Sequence, residues 1–123
     1  MNFIIINMLN EIIERSQKPV HFGKIDNSLS DEEENAICGD HIQMFVVLEN
    51  GKIKDAKFSG KGCSICIASA DMLLDYAIGK SIKEIEKLDE TFIRNMIKIP
   101  LGINRIKCAL LPLNVLKKTI KKK

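Results

Sequence analysis

The sequence predicts an α+β fold in which helices pack on one face of a small antiparallel β-sheet. Apolar residues follow helical spacing near the start, a β-rich hairpin pattern occupies the middle, and helical periodicity returns after it. The chain has 123 residues, of which 46% are hydrophobic, so it can bury an ordinary core without disulfide bridges. We therefore expect a single domain, residues 1–123.

The first element is an amphipathic helix from Asn2 to about Gln17. Five apolar residues recur there at helical spacing: Ile5, Met8, Leu9, Ile12 and Ile13. The opening has no basic region and no small-residue cleavage site, which distinguishes it from a signal peptide. Lys18-Pro19 ends the helix.

An irregular connector is expected from Val20 to Asn35. Its acidic run, Asp31–Glu34, is interpreted as a solvated loop, with a weak signal for a strand around Val20 to Ile25. The next segment, His41 to Glu49, is rich in β-forming residues and leads to Asn50-Gly51, which favours a type I′ turn. Lys52 to Ser59 then supplies the returning strand of a hairpin.

Helices are predicted for the rest of the chain. One begins at Ser64 and ends before Gly79; a short one, Ile82 to Leu88, has a capping box formed by Ser81 and Glu84. Asp89 is expected to cap another from Glu90 to Ile97, and Arg105 to Ile120 forms the last. Pro112 favours the first turn of a helix, so the true start of this helix is placed near Leu111.

Charge and hydropathy exclude several function classes. A net charge of +3 does not by itself indicate nucleic-acid binding, and the lysines that crowd the C-terminus are interpreted mainly as a solvated helix end. No segment is long enough to cross a membrane.

We expect the protein to lie in the cytoplasm, where thiols stay reduced. Its four cysteines therefore indicate a metal site or catalysis rather than disulfide bridges.

The cysteines lie at the boundaries of the predicted elements. Cys38 precedes the hairpin with Asp40 two residues later, Cys63 and Cys66 open the central helix, and Cys108 begins the last helix. A sulfur at a helix start is favoured as thiolate, available to a metal or as a nucleophile. Thiolates with one carboxylate suit zinc or an iron–sulfur cluster. Buried structural cysteines and a plain structural zinc site are the alternatives.

Several stretches together resemble a known family. NAICGDHI at 35–42, GKGCSICIASADML at 60–73 and INRIKCALLPLNVLKKTI at 103–120 are similar to the U-type iron–sulfur cluster assembly scaffolds, which comprise IscU, SufU and the N-terminal domain of NifU. SQKPVHFGKID at 16–26 resembles a weaker family segment. The similarity extends over nearly the whole chain, in the family's order.

The resemblance implies the SufE/NifU-like scaffold fold and a non-enzymatic role. A cysteine desulfurase would deliver sulfur, iron would join it, and a transient [2Fe–2S] cluster would pass to apo acceptor proteins. By motif, Cys38, Asp40, Cys63 and Cys108 match the family's ligand positions, and Zn²⁺ occupies the same site in some members. The alternative is a zinc-bound, SufU-type sulfurtransferase that accepts persulfide from the desulfurase. No nucleic acid or membrane is implied, and we expect a monomer or weak homo-oligomer.

The chain departs from the patterns of the family's branches at four places. Lys107 stands directly before the third family cysteine, where IscU proteins have histidine, which resembles SufU and NifU-like proteins; yet the SufU insertion between the second and third cysteines is missing. The segment 99–102 replaces the chaperone-recognition motif of IscU. Cys66 replaces the usual Ser or Ala; it is interpreted as a core residue, with a ligand role in place of Asp40 or a persulfide relay as alternatives.

Overall fold

The computed structural model describes residues 3–36 and 39–122 and confirms the α+β prediction. A three-stranded antiparallel sheet with the order β1-β2-β3 is combined with five helices in the described part of the chain. In chain order the elements are α1 (Phe3–Gln17), β1 (Leu29–Asn35), β2 (Asp40–Glu49), β3 (Lys52–Lys61), α2 (Ser64–Ala77), α3 (Ile82–Glu86), α4 (Glu90–Ile97) and α5 (Ile103–Ile120).

The central hairpin forms where the sequence predicts it. Asn50 and Gly51 both have positive φ, of 54° and 75°, which is the backbone that a type I′ turn requires. On β2, Ile42, Met44 and Val46 are fully buried and share one side of the strand because side chains alternate along it. The helices α2 and α5 contact the sheet and complete the core on this face.

The acidic run is an edge strand, and its prediction as a solvated loop is wrong. Residues 31–34 lie within β1, which pairs antiparallel with β2. Two lysines near the end of the chain approach these acidic residues: Lys118 of α5 donates to the backbone carbonyl of Glu32 at 3.3 Å, and Lys122, just after α5, lies 3.6 Å from Asp31. The N–H of Glu32, together with these two lysines, holds the pKa of Asp31 below its ordinary value. Two lysines of the C-terminal cluster thus lie beside the charges of β1 while they remain exposed to solvent, as predicted for this cluster.

The connector before β1 forms no strand in the 20–25 region. Phe22 makes a single parallel bridge to Phe58 of β3, with the Gly23 N–H donating to the Phe58 carbonyl at 2.8 Å. This short contact covers the outer edge of β3, so backbone groups that an edge strand would leave open to another chain are paired here.

The capping signals mark three helices correctly. Ser81 and Glu84 form the reciprocal capping box at the start of α3, and the Asp89 side chain accepts from the Phe92 N–H at 3.0 Å at the start of α4. Gly79, with a φ of 94°, follows α2 as its stop.

The last helix starts earlier than predicted from its proline. Helix α5 begins at Ile103, and Pro112 lies inside it rather than in its first turn. Proline has no N–H, so Pro112 cannot donate to the carbonyl of Cys108 four residues before it. The helix continues because tertiary contacts bury this segment: Cys108, Leu111 and Pro112 are all buried.

An ionic network fastens α1 to α2. The Arg15 guanidinium donates to Asp71 at 2.8 Å and to Asp75 at 2.6 Å, while the His21 N–H donates to Asp71 at 2.8 Å. Burial alone would raise the pKa of Asp75, but hydrogen bonds from His21 and Arg15, with the charge of Arg15, outweigh it and lower the pKa.

Of the apolar residues of α1 that were predicted to face the core, Met8 and Ile12 do so, whereas Ile13 is half exposed.

None of the helices within residues 3–36 and 39–122 has the length and apolar character that a membrane span requires.

Candidate metal centre

Three of the predicted ligands come together at one end of the sheet. Asp40 is the first residue of β2, Cys63 is the N-cap of α2, and Cys108 lies in the second turn of α5. One ligand atom from each, a carboxylate oxygen and two sulfurs, lies within 4.8 Å of the others. Cys38 lies outside the described residues, so its place as the fourth ligand stays a prediction.

Asp40 is held in place by the start of α2. The Cys63 N–H donates to Asp40 Oδ1 at 3.2 Å, and the Cys63 thiol approaches Asp40 Oδ2 at 3.7 Å. An N-cap side chain usually accepts from an N–H in the first turn of its helix; the Cys63 side chain makes no such bond, and the Asp40 carboxylate accepts from the N–H of Cys63 itself. The carboxylate is thereby oriented beside the sulfur.

Gly62 makes this close approach feasible. A Cβ on Gly62 would lie 3.0 Å from Asp40 Cγ, 3.1 Å from Asp40 Oδ1 and 3.2 Å from Cys66 Cβ. A side chain there would therefore occupy the space that the carboxylate needs. Its backbone φ is not in the left-handed region, so the requirement for glycine arises from the space and not from the conformation.

The third ligand is positioned by a buried contact between helices. Ser69 of α2 donates its hydroxyl to the carbonyl of Ala109, the residue after Cys108, at 2.7 Å. Both residues are fully buried. Sequence reasoning missed Ser69, because a serine inside an apolar helix gives no sign of the carbonyl that it will meet.

Accessibility differs among the three donors. Asp40 is 4% exposed and Cys108 1% exposed, whereas Cys63 is only partly buried. Two donors are thus fixed in the protein interior and the third faces the opening of the site. Thiolate sulfur and carboxylate oxygen are suitable ligands for Zn²⁺, and thiolates hold iron–sulfur clusters, so the donor set fits both kinds of cargo.

Lys107 and Cys66 are not members of this cluster. Lys107 is exposed and lines a surface cavity of about 340 Å³ together with Glu33 and Glu34 of β1. Cys66 is fully buried in the hydrophobic core, consistent with the core interpretation. Among the described residues the group of potential ligands contains Asp40 and not Cys66, so this geometry does not support Cys66 as a substitute for Asp40.

A family model matches most of the chain. Residues 8–122 match the family model described as the NifU-like N terminal domain. The chain belongs to this family.

Two curated relatives of this family member differ in their stated roles. It is 37% identical over 117 residues to the iron-sulfur cluster assembly scaffold protein IscU of Thermotoga maritima, covering 81% of this chain and 82% of the relative. It is also 30% identical over 128 residues to the zinc-dependent sulfurtransferase SufU of Bacillus subtilis, covering 90% and 87% respectively. The relatives of this chain thus include a scaffold protein and a sulfurtransferase.

Solved structures confirm the fold. A putative scaffold protein for the SUF system from Fervidobacterium islandicum superposes with a TM-score of 0.77 at 29% identity, covering 89% of this chain and 93% of that one. The N-terminal NifU-like protein of Brucella abortus shares the fold, with a TM-score of 0.77 at 16% identity.

Proposed function

We propose that this protein is a scaffold for iron–sulfur cluster assembly. It accepts sulfur from a cysteine desulfurase, binds iron, and passes a transient [2Fe–2S] cluster to apo acceptor proteins. The convergence of Asp40, Cys63 and Cys108 within 4.8 Å carries the proposal, because these donors are far apart in sequence and no local motif would unite them. Cys38, two residues before Asp40, is proposed as the fourth ligand.

The donor set suits a protein that must release its cargo. A carboxylate is a harder and more exchangeable ligand than a thiolate, so the site binds less firmly than four thiolates would. The partly buried Cys63 offers a sulfur to an incoming persulfide, while the buried Asp40 and Cys108 keep their geometry. The protein then has no turnover chemistry of its own, and we propose that it is not an enzyme.

We also propose a domain organisation, a cellular location and an oligomeric state for the protein. One hydrophobic core cluster extends from Met8 to Ile120, which supports a single scaffold domain over the chain. Reduced thiols are needed to hold the cargo, which supports a cytoplasmic location. We expect a monomer or a weak homo-oligomer in solution.

Oxygen-free reconstitution tests the proposal. Mixing the protein with a cysteine desulfurase, cysteine and ferrous iron should produce visible cluster absorption, and transfer to an apo ferredoxin-type acceptor should follow. The combined Cys38→Ala, Cys63→Ala and Cys108→Ala variant should lose this absorption. Glu49→Gln removes a carboxylate that pairs with Lys54 at the far end of β2 and serves as the control. Retention of most of the absorption in the triple variant would contradict the scaffold role.

A zinc-bound sulfurtransferase is the second candidate. It is favoured by the stated role of the Bacillus subtilis relative, and zinc accepts both the thiolate sulfurs and the carboxylate oxygen of this donor set. Stoichiometric zinc that iron never replaces, together with faster desulfurase turnover, would identify this role. Metal analysis of protein purified without oxygen distinguishes the two candidates.

A further inference from the structure

The start of α2 contains two thiols, of which only Cys63 belongs to the candidate metal centre among the described residues. Cys63 is the N-cap and Cys66 is the third helical residue, in the pattern C-x-x-C. Cys63 is only partly buried, whereas Cys66 is fully buried. This arrangement presents one accessible and one protected sulfur on the same helical turn.

The backbone brings the two side chains toward each other. The N-cap Cys63 has φ −69° and ψ 166°, and the N-cap Ser81 of α3 has φ −76° and ψ 158°, so the two N-cap residues share one backbone conformation, although only the Ser81 side chain makes a cap bond. At α3 the side chain at N-cap reaches the residue at N3, and the N3 side chain reaches back, with bonds of 3.1 and 2.8 Å. This backbone therefore allows a side chain at the N-cap to be directed toward the N3 residue, which is Cys66 in α2.

The position of the Cys66 Cβ also indicates that this side chain lies close to the start of α2. The Cβ of Cys66 lies 3.2 Å from the point where a Cβ of Gly62 would be, so its side chain leans back toward the residue before Cys63. Residues three apart on a helix have Cβ atoms about 5–6 Å apart, and a disulfide needs about 3.5–4.5 Å, so a small closure of this turn suffices.

We propose that Cys66 is a resolving thiol that liberates sulfide from a persulfide on Cys63. The inference rests on the proposed function, in which Cys63 receives sulfane sulfur from the desulfurase. The Cys66 sulfur attacks Cys63 Sγ, the inner sulfur of the persulfide; the Cys63–Cys66 disulfide forms, the S–S bond to the outer sulfur breaks, and that sulfur leaves as hydrosulfide. The proton of the Cys66 thiol passes to solvent.

Electrons balance within this step. The outer sulfur gains two electrons and becomes sulfide, and the two cysteine sulfurs supply them as they form a disulfide. Hydrosulfide is a good leaving group, which favours attack at the inner sulfur. A dithiol reductant then returns Cys63 and Cys66 to thiols and restores Cys63 as a ligand. The chain thus converts sulfane sulfur into the sulfide that a cluster contains.

Loading with inorganic polysulfide tests this step independently of the desulfurase. After oxygen-free loading and rapid desalting, intact mass should show the loss of two hydrogens, peptide mapping should place a disulfide between Cys63 and Cys66, and one equivalent of sulfide should be released. A Cys38→Ser/Cys108→Ser variant, which retains only this pair, should behave in the same way.

Two variants should keep the persulfide. Cys66→Ser should retain the mass of one added sulfur on Cys63 and release sulfide at least about tenfold more slowly. The matched control, Ile65→Cys/Cys66→Ser, moves the thiol by one position; residues two apart on a helix do not face each other, so the persulfide should persist there too. Far-UV circular dichroism verifies folding, and Cys66→Ala replaces the serine variant if the buried hydroxyl destabilises it.

The outcomes separate the two proposals. Equal sulfide release from wild type and Cys66→Ser, or a stable persulfide on wild-type Cys63, would overturn the role of Cys66. A parallel arm with desulfurase and cysteine tests delivery: if the desulfurase loads no sulfur while polysulfide still yields the Cys63–Cys66 disulfide, the resolving step stands and the proposed function fails.

Discussion

Replacing Gly62 with alanine should weaken metal binding without unfolding the protein. The new Cβ would lie 3.0 Å from Asp40 Cγ and 3.1 Å from Oδ1, where ordinary contacts are 3.4–4 Å. The carboxylate must therefore retreat by a few tenths of an ångström. Its bond from the Cys63 N–H is already 3.2 Å long, so this retreat weakens the contact that orients it. Loss of an orienting contact of this kind typically lowers metal affinity about 10- to 100-fold.

Competition with a chromophoric zinc chelator, using reduced protein at fixed pH, measures this affinity, and urea unfolding measures stability. We expect zinc affinity to fall at least about tenfold, with the free energy of unfolding reduced by no more than about 1 kcal/mol. Gly102→Ala is the matched control, because no atom lies within 4 Å of its added Cβ. Zinc affinity of Gly62→Ala within about twofold of wild type would refute the role of Gly62 in orienting Asp40.

Three further predictions follow from single contacts. Ser69→Ala removes the bond to the Ala109 carbonyl, so urea unfolding should show a loss of about 1–3 kcal/mol and chelator competition a weaker zinc site; unchanged values in both would contradict it. The pKa of Asp75 is lowered on folding, so its contribution is present above the ordinary pKa of the carboxyl and is lost as pH falls through the folded value. Asp75→Asn should therefore be less stable than wild type at neutral pH, with a difference that shrinks in acid below about pH 4, and a difference independent of pH in unfolding titrations would exclude this linkage. Gly60→Ala would place a Cβ 2.0 Å from a backbone carbonyl oxygen of β2, at a φ of 132°, so it should cost more than about 3 kcal/mol and give little folded protein by circular dichroism; a native thermal midpoint would contradict the geometry.

Sequence reasoning succeeded where neighbouring residues decide the structure. The positive φ angles of Asn50 and Gly51 and the caps at Ser81 and Asp89 depend on backbone and side chains only a few residues apart. These signals located the hairpin and the starts of α3 and α4. The motifs around the cysteines also sufficed to identify the family, because their order and spacing are specific.

The prediction failed where distant residues decide the structure. Strand β1 consists largely of acidic residues with low β-propensity, and it forms because β2 pairs with it and Lys118 and Lys122 approach its charges. Helix α5 continues through Pro112 because its neighbours bury that segment. A short stretch of sequence contains neither the distant residues that pair with β1 nor those that bury the segment around Pro112.

The sequence by itself determined the family, the hairpin and the residues able to bind a metal, since residue type and spacing define these. Only the tertiary structure decided that Asp40, Cys63 and Cys108 meet within 4.8 Å, and that Gly62 and Ser69 set their positions. The reason is physical: the donors come from a strand and two helices, and their separation depends on how those elements pack around a shared core.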